Sequence, residues 1–442
     1  MASTKAKREA KPKKAGRNHA KKESKPATEA PLELTWSLAE LPSAQHKTGL
    51  AGLVLMVRWL EQQPRRKGLC ELTRLDADGA TLRVDRTGMR ELFDETYAAA
   101  AVEREEGKLR KHPKTKAEIP PLRTVEREVK DERGKLKKKT FYAYPATEPR
   151  GAFLADLDDP GSGKSGLWIK MWRSMVWSIL RAIPATRGPY EKRAEGPFTD
   201  DAEEAFGELT SGADQSTDLP STYYIGAQAM TAESVPFGDR VRFRFLLHFW
   251  PFAVGLYVPG VLDAEGKRDF PGYALAFPDL ADLETGCDEI YRVLKARGTK
   301  ALAYLPVEAV VDLPAEGALD LAGRLFKRLS KKTGDMPGSD LLLGIDVIHV
   351  EREGNNVRVR SSARVEPTPT MTDEYERLRK RYWDPFFRRQ ILANHIAGRP
   401  LHLGFNRLFQ THPYERFFAR QDSYFRHDAE QFFKEDEREV NA

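Results

Sequence analysis

Gly163-Lys164-Ser165 is the end of a phosphate-loop pattern, and any nucleotide chemistry in this chain has to start there. Such a loop needs GxxxxGK[ST], whose backbone N–H groups wrap the phosphates ahead of a helix. Here the first glycine is replaced by Asp158, whose carboxylate repels the anion it should cradle. No convincing Walker B acid follows. Ser165 fails as a nucleophile too, because Leu167 stands where GxSxG requires its last glycine. The nine histidines contain no HxxxH pair, and none lies close to Cys70 or Cys287, so no zinc ribbon is written in the chain. His395, His402, His412 and His427 do gather near the C-terminus. With Asp384, Asp422 or Asp428 they leave a metal-dependent nuclease open as the alternative function. No cofactor is implied.

The cations carry more information. "RVRFRFLLHF" reads as a strand with Arg240, Arg242 and Arg244 on one face and Val241, Phe243 and Phe245 on the other. "VRVRSSARV" repeats the theme with Arg358 and Arg360. Guanidinium forks on a flat sheet suit phosphate, although a solvated face paired with carboxylates competes with that reading. A Trp-rich helix over 167–183 has a core stripe (Trp168, Trp172, Met175, Ile179, Ile183) and an opposite side bearing Lys170, Arg173, Trp177 and Arg181. That side either stacks a base or snorkels over an apolar rim. Near the C-terminus Arg377, Arg379, Lys380, Arg381, Arg388 and Arg389 form a basic helix.

Charge over the whole chain is uneven. The 442 residues carry 72 Lys and Arg against 66 Asp and Glu, a net +6. Residues 1–30 hold ten basic and three acidic side chains, and 103–139 hold fourteen basic and eight acidic. Outside those two blocks the chain is mildly acidic. A polyanion met at particular places is the expectation. Two distant cysteines argue for a reduced, cytoplasmic protein. The apolar stretch from Phe245 to Leu262 is broken by Pro251, Gly255, Pro259 and Gly260, which excludes a membrane span.

The elements that must position these residues follow from periodicity. Residues 1–30 have no large apolar side chain after Met1 and read as a disordered basic arm. A strand at "LELTWSLAELP" leads into a buried helix from about Ala44 to Gln62. A hairpin turns at Asp78-Gly79, and a helix covers roughly Thr87 to Arg104. Residues 105–139 form an exposed basic insert. Its end is a hairpin finger about Arg133-Gly134 that carries Lys135, Lys137, Lys138 and Lys139. Segment 194–218 reads as acidic surface, and strands follow at "AVGLYVPGVLD" and "GYALAFP". Then come helix 279–296, strand 301–312, helix 315–331 and a hairpin 341–365 turning at Asn355-Asn356. From Met371 the period becomes helical, with Thr372 as the N-cap. Phe417/Phe418, Tyr424/Phe425 and Phe432/Phe433 fall on one helix face. The expected class is α+β: a mixed α/β body with antiparallel strands over 31–366, then a C-terminal helical bundle over 371–442.

Three segments resemble a family: "LAELPSAQHKTGLAGLVLMV" (38–57), "GLWIKMWRSMVWSILRAIPATR" (166–187) and "HPYERFFARQDSYFRHDAEQFF" (412–433). They are similar to the large subunit of type I CRISPR effector complexes, most of all the MYXAN subtype, whose relatives include the fruiting-body developmental protein DevT. The likeness is spread over most of 32–435, leaving the arm and the insert outside it. It implies a non-catalytic subunit that recognises the protospacer-adjacent motif and stabilises opened target DNA. It further implies crRNA, double-stranded target DNA, the other effector subunits and a recruited helicase–nuclease as partners. The matching run Ser43–Lys47 adds Gln45, His46 and Lys47 to the nucleic-acid-binding candidates.

Overall fold

A computed structural model describes residues 30–440, apart from 113, 131–134, 151, 154–166, 172–187, 219–237, 264–266, 297–307, 334–340, 354–355 and 419–423. The basic arm, the phosphate-loop-like run, Arg173 and most of the Trp-rich helix therefore lie outside the described residues, as does Asp422.

Strand β1 (Leu32–Ser37) and the hairpin β2 (Cys70–Leu75)–β3 (Gly79–Val84) make an antiparallel sheet in the order β1–β3–β2. Helix α1 (Ala44–Glu61) is capped by the Ser43 hydroxyl, which accepts from the His46 N–H, and it is buried on nearly every side. Its glycines explain how it can be so deep. A methyl at Gly52 would stand 2.0 Å from the Phe249 carbonyl oxygen, so only glycine lets the two backbones meet.

Helix α2 (Arg86–Thr96) stops before β4 (Ala99–Glu106), which corrects the expected helix to Arg104. Alanine and glutamate favour helix locally, but β4 gains a full ladder against β6 from Ala99↔Pro149 to Glu106↔Tyr142. Strands β5 (Arg123–Lys130) and β6 (Leu136–Pro149) complete a second sheet in the order β4–β6–β5. This is the expected finger, paired out to Lys130↔Leu136.

Helices α3 (Gly188–Glu195) and α4 (Asp200–Gly212) precede a short ladder of β7 (Ser216–Asp218) with β8 (Gly238–Arg240). The expected strand at "RVRFRFLLHF" is instead helix α5 (Val241–Leu246), with Arg240 as its N-cap residue. Val241, Phe243, Phe245, Leu246, Leu247 and Phe249 are all buried, so this apolar run has no solvent face and its period cannot tell strand from helix.

The main sheet has the order β13–β9–β12–β14–β15. It is built from β9 (Gly255–Pro259), β12 (Tyr273–Leu280), β13 (Val310–Val311), β14 (Leu342–Glu353) and β15 (Asn356–Val365), with only β13–β9 parallel. Strands β10 (Val261–Leu262) and β11 (Arg268–Asp269) form a small ribbon. Helices α6 (Leu283–Ala296) and α7 (Glu316–Thr333) follow, and α7 packs on the sheet.

The C-terminal helices are α8 (Pro369–Arg381), α9 (Pro385–Ile396), α10 (Phe405–Thr411), α11 (Glu415–Phe418) and α12 (Phe425–Val440). The N-cap of α8 is Thr368, not Thr372, because Pro369 starts the helix and Thr372 is buried in its first turn. The aromatic pairs lie on two helices rather than one face of a single helix, and Phe417 meets Phe425 at 4.7 Å. One apolar core runs from Leu34 to Phe425.

Candidate nucleic-acid interface

Several of the cations singled out above turn inward, Lys47, Arg242 and Arg388 furthest. Gln45, His46 and Lys47 occupy the buried first turn of α1. His46 Nε2 lies 2.9 Å from Asp239 Oδ2, and Lys47 Nζ donates to Asp279 Oδ1 at 2.5 Å. Arg242 is 8% exposed. Its two terminal nitrogens donate to both Glu40 oxygens at 2.6 and 2.7 Å, while Nε donates to Asp214 at 2.6 Å and Nη1 also to the Thr35 carbonyl at 2.9 Å. The same guanidinium holds the Glu40 carboxyl below its ordinary range. Arg244 pairs with Glu208 and donates to Thr217, while Arg240 stays half exposed, 3.5 Å from Asp214. The proposed arginine face is therefore replaced by a helix whose middle arginine is committed to protein carboxylates.

Arg388 goes furthest inward. It is 0% exposed, with Nε donating to Asp312 at 2.6 Å and Nη1 to the Tyr382 carbonyl at 2.9 Å. Arg268 reaches the other Asp312 oxygen at 2.5 Å. Arg379 donates to Asp320 and to the Val310 carbonyl, so the basic-helix reading splits into buried ties and surface charges. Arg389 is half-buried. Burial, with Asp312 nearby, pushes the Glu316 carboxyl up to about 7.

The outward cations are elsewhere. Lys135, Lys137, Lys138 and Lys139 are exposed along the finger, with the Lys139 ammonium 5.6 Å from the Phe141 ring. Arg123 and Arg127 face solvent beside them, paired with Glu103 at 2.7 Å and Glu105 at 2.9 Å. Sequence reading passed over these two arginines, though alternation around Val125 and Val129 already put them on the lysines' strand pair. The root is fixed by Tyr144, whose hydroxyl accepts from the Arg110 N–H at 2.9 Å and donates to the Ile119 carbonyl at 3.1 Å. On β15, Arg358 and Arg360 are also exposed, 3.1 Å from Glu353 and 2.5 Å from Glu351. Lys170 is exposed among the described helical residues 167–171.

Three of the C-terminal histidines and aspartates, His395, Asp384 and Asp428, are tied into the backbone. Asp384 Oδ1 caps α9 by accepting from the Phe386 and Phe387 N–H groups. Asp428 Oδ2 accepts from Trp383 and Asp384, and His395 Nε2 lies 2.9 Å from the Met371 carbonyl. Among the described residues no group of three or more His, Cys, Asp or Glu could hold a metal ion. Cys70 and Cys287 are buried thiols pushed up to about 12 by desolvation. No helix among the described residues is long and apolar enough to cross a membrane.

No curated protein matches the sequence. Residues 69–335 match the family model of the type I-B CRISPR Cas8b N-terminal domain, and residues 342–442 match that of the Cas8b C-terminal domain. The interval between the two matches falls just before β14, so the main sheet takes strands from both sides of it. With the two models spanning most of its length, the chain belongs to the type I-B CRISPR Cas8b family, and is thereby a large subunit of a type I CRISPR effector.

Proposed function

We propose that this protein is a non-catalytic, nucleic-acid-binding large subunit of a crRNA-guided antiviral interference complex. In this reading it recognises the protospacer-adjacent motif and stabilises the opened target DNA. The observation that carries the reading is the placement of charge. Lys47, Arg242 and Arg388 in the body are drawn inward to carboxylates, while the finger holds Lys135, Lys137, Lys138 and Lys139 outward on a sheet tied down by Tyr144. Phosphate neutralisation with counterion release supplies affinity, and guide pairing supplies most of the sequence selection. Partners on this reading are crRNA, double-stranded target DNA, the other effector subunits in the cytoplasm and a recruited helicase–nuclease. The MYXAN subtype is the finer family reading, supported by the three segments that resemble it.

The test is reconstitution with the other effector subunits and a crRNA. Duplexes carrying a matched protospacer behind varied adjacent motifs should bind with motif-dependent affinity, and omission of this chain should abolish that dependence. Motif preference that persists without the chain would overturn the reading. Incubating the chain alone with labelled DNA or RNA and Mg²⁺ or Mn²⁺ should leave both intact, and cleavage lost in His427→Ala would return the nuclease alternative.

A further inference from the structure

We propose that one face of the finger, bearing Arg127, Lys137 and Lys139, contacts the phosphate backbone of duplex DNA, and that the opposite face, bearing Lys138, does not. This deepens the nucleic-acid reading above and rests on it. Residues directly opposite in an antiparallel ladder project to the same side, and alternate rows project to opposite sides. The rows on the first face are Arg123↔Ala143, Val125↔Phe141, Arg127↔Lys139 and Val129↔Lys137. Those on the second are Thr124↔Tyr142, Glu126↔Thr140, Glu128↔Lys138 and Lys130↔Leu136, where two glutamates balance two lysines. Strand β4 adds Glu105 to the first face at the Ala143 row, near the root.

The two faces solve the same electrostatic problem differently. On the second face Lys138 stands opposite a glutamate, so the row neutralises itself. On the first face two cations stand directly opposite each other, and Lys137 follows in the next row. Like charges in that position oppose hairpin formation. Glu105 reaches Arg127 at 2.9 Å from the Ala143 row, leaving the Arg127 side chain 60% accessible, and the residue opposite Lys139 in the ladder is a cation and not an acid. A hairpin selected for stability alone would place an acid opposite Lys139, as it does opposite Lys138. A polyanion laid along the first face removes the repulsion and gains from it. Turn residues 131–134 lie outside the described residues and have no part in the assignment.

The experiment uses the full chain and a short DNA duplex of arbitrary sequence, with affinity measured at several salt concentrations. The triple variant Arg127→Gln/Lys137→Gln/Lys139→Gln should flatten the plot of log K against log salt by about two to three units, since each phosphate contact contributes about 0.9. Lys138→Gln should leave the slope unchanged, and Lys137→Arg/Lys139→Arg should keep it. If the triple variant folds poorly, Lys139→Gln alone should still remove about one unit. Equal losses in Lys138→Gln and Lys139→Gln would overturn the assignment of a face. A steep wild-type slope left unaltered by the triple variant would overturn it while leaving the nucleic-acid reading intact. A wild-type chain with no salt-dependent binding would overturn both.

Discussion

Helix α5 with the first turn of α1, and the finger of β5 and β6, are built from the same kinds of residue and use them in opposite ways. In the first region Arg242 meets Glu40, Lys47 meets Asp279 and His46 meets Asp239, with the Arg242, Lys47 and His46 side chains all little exposed. Each partner comes from a distant part of the chain: Glu40 lies 202 residues from Arg242. These cations fasten segments to one another, and their worth depends on the charge they neutralise inside the protein. In the finger the cations stand exposed on a two-sided ribbon with little apolar surface to cover, and even the paired Arg123 and Arg127 stay more than half accessible. A cation's role is thus set by whether an acid is built to meet it.

The sharpest way to break this contrast is at its buried extreme. Among the described residues Arg388→Met leaves Asp312 paired with Arg268, and should destabilise the protein by about 3–5 kcal/mol. Urea unfolding at unchanged m-value measures it. A loss under about 1 kcal/mol would mean that the buried pair is not a structural tie. Arg242→Gln comes next, at about 1–3 kcal/mol, because its bidentate bond to Glu40 is charge-assisted but Asp214 is largely exposed. Duplex affinity should not change with it. A drop in affinity at unaltered stability would return Arg242 to the binding surface.

Buried titratable groups give the inner region a pH dependence. His248 is buried against Tyr97, and desolvation lowers its pKa from 6.5 to about 3. The unfolded chain then binds a proton that the folded chain refuses, so this contribution is complete above pH 6.5 and is lost as pH falls toward 3. Glu316 has the opposite sign. Its carboxyl rises from 4.5 to about 7, so its contribution is complete below pH 4.5 and is lost as pH rises to 7. Between about 4.5 and 6.5 the two oppose each other. Glu316→Gln should therefore steepen the rise of stability with pH in that window, by at most about 1.4 kcal/mol per pH unit. Parallel curves for wild type and variant would show that Glu316 is ionised in the folded protein.

Local pattern made some of this legible and left the rest hidden. Helix α1, the hairpin at Asp78-Gly79, the finger and the β14–β15 hairpin follow from turn residues and period, because each is built from neighbours in sequence. Strand β4 and helix α5 do not. The first is imposed by pairing with β6, a distant strand that runs from Leu136 to Pro149, and the second lies in a run buried on all sides. Among the candidate residues the finger lysines were legible, since a charged run without apolar periodicity has nowhere to go but out. The inward turn of Arg242, Lys47 and Arg388 was not, because Glu40, Asp279 and Asp312 are brought to them only by the fold.

Arg358 and Arg360 on β15 test the middle of the contrast, where the smallest effect is expected. They point outward like the finger lysines, yet each has an acid within reach on the neighbouring strand, Glu353 for Arg358 and Glu351 for Arg360. The acids belong to the same hairpin, so the pairing survives without any ligand and costs little to maintain. Electrostatically this edge resembles the Glu128↔Lys138 row more than the Arg127↔Lys139 row. Replacing both arginines with glutamine should then shift the melting temperature by no more than about one degree, as exposed pairs do, and should leave the salt slope of duplex binding where it was. The pairing that makes them quiet also makes the test discriminating. If the slope falls by about one unit per arginine, phosphate outcompetes Glu351 and Glu353, and an acid within reach is not enough to keep a surface cation from nucleic acid. The rule drawn from the two regions would then hold only for buried cations, and β15 would join the finger as a second contact surface.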